Sequence, residues 1–257
     1  MRNGADGDGQ PPLVQSVDRA LAMLSLLADR GSAGATDLGA ELGVHKSTAS
    51  RLLATLEAHG LVEQLGERGT YRLGFGLVRL AGASAAQLDL SRVGREVCER
   101  LAAELDETVN LAVLDGDSAV NISQVQGSAS VGVLNWVGRR TPLHATSSGK
   151  VLLAYGPAAA RAALSATPLE RYTPSTITDA AVLDEVLAGV REQGWAATEG
   201  ELELGLNAVA APVCAPDGRL VAALSVSAPS YRLPRDRFDD VAERLCAVAT
   251  ETGRQLG

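Results

Sequence analysis

Residues 36–60, TDLGAELGVHKSTASRLLATLEAHG, read as two short helices joined by a tight turn at Gly43. Leu38, Ala40, Leu42 and Val44 supply apolar anchors for the first helix and the turn. In the second helix Ala49, Leu52, Leu53 and Leu56 recur at the i, i+3, i+4, i+7 spacing of one buried face. The opposite face gathers Lys46, Ser47, Thr48, Ser50, Arg51 and Thr55, with His45 just ahead of it. Hydroxyls and cations near a helix N-terminus bond phosphate oxygens, with the dipole in their favour, and can also reach base edges. That face suits a DNA groove.

Two helices around a glycine also occur in proteins that never touch DNA, so the residues that follow decide the reading. His59-Gly60 has the form of a left-handed glycine cap. Leu61 to Gln64, the turn from Gly66 to Gly69, and Thr70 to Leu73 then read as strand, turn, strand. A helix-turn-helix with a hairpin directly behind it is a winged DNA-binding module, and Arg68 and Arg72 stand where a wing meets the DNA backbone.

The chain has 257 residues, enough for two ordinary cores. Its net charge of −8 is unevenly placed: residues 1–87 hold eight Lys/Arg against nine Asp/Glu, whereas residues 88–257 hold fifteen against twenty-two. A nearly neutral winged helix can bind DNA through a local basic face, with a modest electrostatic contribution per subunit that a second copy would double. No apolar run approaches the ~20 residues of a membrane helix, and Met1 to Pro12 is polar with no apolar signal core. A cytoplasmic protein with a disordered tail over 1–12 is expected, with no membrane partner. Cys98, Cys214 and Cys246 are far apart, outside any CxxC spacing, and read as small buried hydrophobes; with three histidines in all, no metal site is indicated.

Ahead of the helix-turn-helix, Ser16 to Ala28 carries a helical stripe of Val17, Leu21, Leu24 and Leu27 and ends at Gly31. Phe75 to Gln87 is an alanine-rich amphipathic helix that packs either on a partner subunit or on its own domain. Asp89 is expected to cap a helix over Leu90 to Leu105. The period then changes to the alternation of strands: a hairpin from Thr108 to Gln126 through Asp115-Gly116, and a further strand from Val131 to Val137. Helices follow within Leu143 to Tyr155, at Pro157 to Ser165 and at Asp179 to Gln193, then strands at Trp195 to Glu199, Ala208 to Cys214 and Leu220 to Ala228, and a closing helix from Arg237 to Leu256. This order predicts an α+β fold, an antiparallel sheet flanked by helices. The boundaries fall at 13–74 for the winged helix-turn-helix, 75–88 for the linker helix and 89–257 for the second domain.

The most unusual stretch of the second half is Thr141 to Lys150, TPLHATSSGK. Unpaired N–H groups at a helix start, with the hydroxyls of Thr146, Ser147 and Ser148, can hold a small carboxylate; an ordinary Ser/Thr cap is the competing reading. His144 beside two serines invites a serine-hydrolase reading, but a nucleophile elbow needs Gly-x-Ser-x-Gly on a strand-to-helix turn and ATSSG lacks the first glycine. No catalytic residue is assigned. With no dinucleotide loop and no P-loop, no cofactor is expected.

SVDRALAMLSLLA (16–28), HKSTASRLLATLEAHGLVE (45–63) with RGTYRLG (68–74), PLHATSSGKVLLA (142–154) and GWAATEGELELGLNAVAAPV (194–213) together resemble the IclR family of bacterial transcription regulators over about residues 13–256. The resemblance implies a winged helix-turn-helix followed by a GAF-like effector domain. It also implies a homodimer or homotetramer on an inverted-repeat operator, responsive to a small organic acid. It places the recognition helix at Lys46 to Ala58 and the effector cavity at Asn135, Trp136, His144, Thr146, Ser147, Ser148, Thr198, Ala208, Ser225 and Ser227. Three positions depart from the family pattern. Many members have aspartate at Thr198 and cysteine at Ala208, and Gly200 replaces the first of two usual glutamates. A cavity with fewer negative groups suits an anionic or neutral ureide-like ligand, and NWVGR (135–139) with the Ser147-Ser148 pair is similar to members of allantoin and glyoxylate metabolism. The expected function is a repressor of ureide catabolism. The alternative is a small-molecule-binding protein or enzyme whose winged helix makes protein contacts only.

Overall fold

The computed structural model describes residues 14–66, 69–82, 85–128 and 136–256. The expected tail, Arg68, Asn135 and most of the expected strand from Val131 lie outside the described residues. The chain divides into two compact units, Met1–Ala85 and Ala86–Gly257.

In the first unit α1 (Gln15–Arg30) leads through β1 (Ala33–Gly34) to α2 (Ala35–Glu41) and α3 (Lys46–Ala58), followed by β2 (Val62–Leu65), β3 (Thr70–Leu73) and α4 (Gly76–Gly82). Gly43 and Gly60 take φ of 63° and 69°, the left-handed backbone at the expected turn and helix end. Antiparallel pairing of β2 with β3 makes the wing, and β1, too short to show a period, adds on the other side of β3. The core joins Met23 and Leu27 of α1 to Leu38, Ala49, Leu53, Leu56 and Val62. The face expected of α1 is corrected: Val17 and Leu21 are 55% and 59% exposed, and Ala20, Met23, Leu24 and Leu27 turn inward. Both sets satisfy the helical period, and only the tertiary partner chooses between them.

The second unit runs α5 (Ala85–Leu105), β4 (Thr108–Asp115), β5 (Ser118–Val125), β6 (Arg140–Pro142), α6 (Ser147–Tyr155), α7 (Ala158–Ser165), α8 (Ala180–Gln193), β7 (Ala196–Glu199), β8 (Leu206–Cys214), β9 (Leu220–Pro229) and, after a single 3-10 turn, α9 (Phe238–Gln255). Helix α5 passes through Asp89 without a break, so the expected cap there is corrected: nothing in the good helix formers from Ala85 onward stops the helix earlier. Asp179 caps α8 as expected, accepting from the N–H groups of Ala181 and Val182.

The strands form one sheet in the order β6-β5-β4-β9-β8-β7, antiparallel throughout. One face carries Val109, Leu111, Val209, Ala211, Leu224 and Val226 against α5 and α9. The other face is apolar at only one end, where Ala112, Ala196, Ala210 and Ala223 meet α6 and α8. These residues are small because α6 lies close to the sheet. No helix among the described residues is long and apolar enough to cross a membrane.

Candidate functional site

Helix α3 presents Lys46, Ser47, Thr48, Arg51 and Thr55 exposed and Ser50 half-buried, opposite the buried Ala49, Leu53 and Leu56. His45 is its cap: Nδ1 accepts from the Ser47 N–H at 3.3 Å and lies 2.9 Å from the Ser47 hydroxyl. Two residues read as DNA contacts thus also build the helix start. The Thr55 hydroxyl donates back to the Arg51 carbonyl at 3.0 Å. Arg72 is not the free wing cation that the sequence suggests. Its Nε meets Glu63 Oε1 at 2.5 Å, because the two residues are paired across the wing.

The helix-facing side of the large sheet changes character along its length. Ala112, Ala210 and Ala223 give way, two residues further along their strands, to Asn110, Ala208 and Ser225 with Ser227 beyond. With Thr198 of β7, Trp136, Thr141 and the start of α6, these residues wall a cavity of about 70 Å³. That volume accommodates several water-sized bodies, the scale of a small metabolite. Trp136, Thr146, Ser147, Ser148, Thr198, Ala208, Ser225 and Ser227, all named from the sequence, line it. None of its described lining side chains is charged.

Thr146 caps α6: Oγ1 accepts from the Gly149 N–H at 3.1 Å and donates to the Pro142 carbonyl at 2.8 Å. That hydroxyl is spent on the cap, as the simpler sequence reading had it. A methyl group at Gly149 would overlap the Leu143 carbonyl oxygen, so glycine is what lets the cap close. Ser147 and Ser148 occupy the first helical positions, where the helix offers their N–H groups no partner. The Ser148 hydroxyl meets that of Ser225 at 3.1 Å, joining the helix start to the sheet across the cavity.

His144 does not line this cavity. It borders a separate crevice with Glu170 and Tyr172, where Nε2 donates to the Glu170 carbonyl at 2.8 Å and the ring centroid lies 5.8 Å from that of Tyr172. With Ser148 bonded to Ser225 and His144 held by Glu170, those two side chains do not pair. Sequence reasoning missed Asn110, Asn121, Leu202 and Leu206 of the lining, and held Thr141 and Ala145 only as part of the TPLHATSSGK stretch. Asn110 carried a signal, a lone amide between Val109 and Leu111 in a strand otherwise reading as apolar.

A second crevice of about 700 Å³ opens at the β7 edge, lined by Lys150, Glu201, Trp195 and Arg235 among others. Behind it Lys150, 1% exposed, is paired at 2.5 Å with Glu201, 8% exposed. Burial lowers the Lys150 ammonium and raises the Glu201 carboxyl, and the attraction between them only partly offsets each shift.

A winged helix-turn-helix joined in one chain to an α+β unit with a polar cavity is the build of a DNA-binding regulator. The chain belongs to the IclR family: the model of the IclR helix-turn-helix domain matches residues 16–66, and that of the bacterial transcriptional regulator IclR C-terminal domain matches residues 82–254. It is 35% identical over 248 residues to the HTH-type transcriptional regulator XynR of Escherichia coli K12, covering 96% of this chain and 98% of that one. It is 34% identical over 261 residues to the HTH-type transcriptional repressor AllR of Klebsiella pneumoniae, covering 100% and 96%. The crystal structure of an IclR homolog from Microbacterium hydrocarbonoxydans, complexed with 4-hydroxybenzoate, superposes with a TM-score of 0.82 at 30% identity, covering 95% and 98%. The chain is accordingly a transcriptional regulator, and the enzyme reading is set aside.

Proposed function

We propose that the protein is a repressor, active as a homodimer or homotetramer on an inverted repeat, whose hold on DNA is altered by a small organic acid in the sheet cavity. The observation that carries this is the cavity itself, where a helix N-terminus and several hydroxyls converge behind a sheet in a chain whose first unit is a winged helix. Hydroxyls and helix-start N–H groups favour a carboxylate without a buried cation. The boundaries 13–74, 75–88 and 89–257 divide the work into DNA reading, connection and sensing. Lys46, Ser47, Thr48, Ser50 and Arg51 meet the groove, with His45 holding the first turn.

The carboxylate of 4-hydroxybenzoate, bound by a homolog, supports an acid as the ligand class. The resemblance of NWVGR (135–139) and the Ser147-Ser148 pair to members of allantoin and glyoxylate metabolism makes acids of ureide breakdown the first to try. The test is an effector screen by electrophoretic mobility shift on the intergenic DNA upstream of the protein's own gene, at stated salt, with glyoxylate, allophanate, sugar acids and aromatic acids. Release of the complex by one of these classes supports the reading. A specific complex that none of them alters removes the effector from it.

A further inference from the structure

Resting on the small-acid reading above, we propose that Asn110 makes the cavity selective for acids carrying a hydrogen-bond donor, a hydroxyl or amide N–H close to the carboxylate, over the corresponding 2-oxo acids. Asn110 is 6% exposed and borders the cavity from β4. Its Nδ2 donates to Ser227 Oγ at 3.4 Å, and its Oδ1, shut off from solvent, has no partner. Buried polar atoms are nearly always paired, so an unpaired acceptor on a residue of the cavity wall marks where a donor belongs. The start of α6 accounts for the other end of the ligand, since the Ser147 and Ser148 N–H groups can only donate.

The two ends are close together. Ser148 touches Ser225, and Ser225 is the register partner of Asn110 on the adjacent strand. Asn110 and the Ser148–Ser225 contact thus lie on neighbouring strands, within reach of one small ligand. A 2-hydroxy, 3-hydroxy or ureido acid carries its donor close to its carboxylate. With no charged side chain among the described lining, hydrogen-bond direction decides between otherwise similar acids. A 2-oxo acid sets its carbonyl oxygen against Asn110 Oδ1, acceptor facing acceptor.

The test is isothermal titration of the full chain with glycolate, lactate, 2-hydroxybutyrate and hydantoate against pyruvate, 2-oxobutyrate, propionate and butyrate. The expected result is at least ~10-fold tighter binding of the best donor-bearing acid than of its oxo or unsubstituted counterpart, the direction in which sites built to pair a ligand donor discriminate. In Asn110→Leu the ratio is expected to fall to about one. The wild-type ratio stands alone should that variant fail to fold. A ratio at or below one, or a preference that survives in folded Asn110→Leu, overturns the role of Asn110 and leaves the small-acid reading in place. No binding of any of these acids at millimolar concentration overturns the role of Asn110 and leaves the small-acid reading to the effector screen.

Discussion

Lys150 and Glu201 are fifty-one residues apart in sequence and meet only in the fold, beside the crevice at the β7 edge. Removing one member of a buried ion pair leaves the other charge unpaired, so Lys150→Met is expected to cost about 3–5 kcal/mol, and adding Glu201→Leu to recover much of it. Urea unfolding followed by tryptophan fluorescence measures this, because Trp136 and Trp195 both lie in the second unit. The sign of the pH dependence follows from Glu201. Its carboxyl is raised in the folded state, so the stabilisation is complete below the ordinary carboxylate value and is lost as pH rises through the folded value. Glu201→Gln is expected to remove that downward slope on the rising-pH side. An unchanged slope assigns it to another group. Burial also pushes the Cys98 thiol up to about 12, so alkylation at pH 8 is expected to reach it only after unfolding. Rapid modification of the native protein would contradict that placement.

At the scale of elements, the proposed function rests on α3 for DNA and on α6 for the effector. Arg51→Ala is expected to lower operator affinity. If Arg51 reads a base, about 1–3 kcal/mol of discrimination disappears at one position; if it meets phosphate, affinity falls on every sequence and the salt slope becomes shallower. Titrations against operator and random duplex at several salt concentrations separate the two, and an unchanged affinity refutes both. Gly149→Ala drives a methyl group into the Leu143 carbonyl and the Thr146 cap, and is expected to cost about 1–3 kcal/mol and to blunt any effector response. Normal effector release by that variant would take the start of α6 out of the mechanism. Where chemistry is local, the sequence was readable: the α3 stripe, the Gly43 and Gly60 turns, the Asp179 cap and the Ser147-Ser148 start all rest on neighbours within a turn. What depends on a partner was not. Two stripes on α1 fit one period, β6 is three residues long, and His144 sits three residues from Ser147 yet on the other side of the loop. Asn110 gains its meaning only from β9, and Glu201 only from α6, both far away in sequence.

For the whole molecule, charge and symmetry set the terms of DNA binding. Residues 1–87 are almost neutral, so in the proposed homodimer or homotetramer each winged helix adds a modest electrostatic contribution and a second copy is expected to strengthen binding. The operator is then expected to be an inverted repeat with half-site centres about one helical turn, ~34 Å, or a multiple of it apart. A footprint without dyad symmetry would contradict the two-copy arrangement. Release by a ligand requires a difference in its affinity for the DNA-bound and free states, and couplings of about 1–3 kcal/mol are typical. Fluorescence anisotropy of the full chain on the DNA upstream of its own gene, at fixed salt and with a saturating small acid added or withheld, reads that coupling directly. Specific binding is expected that one acid weakens about 5- to 150-fold, with the effect lost in Ser148→Leu. Specific binding weakened to the same degree in Ser148→Leu would contradict the cavity as the sensor, and affinity no greater than for a random duplex would contradict this DNA as the operator.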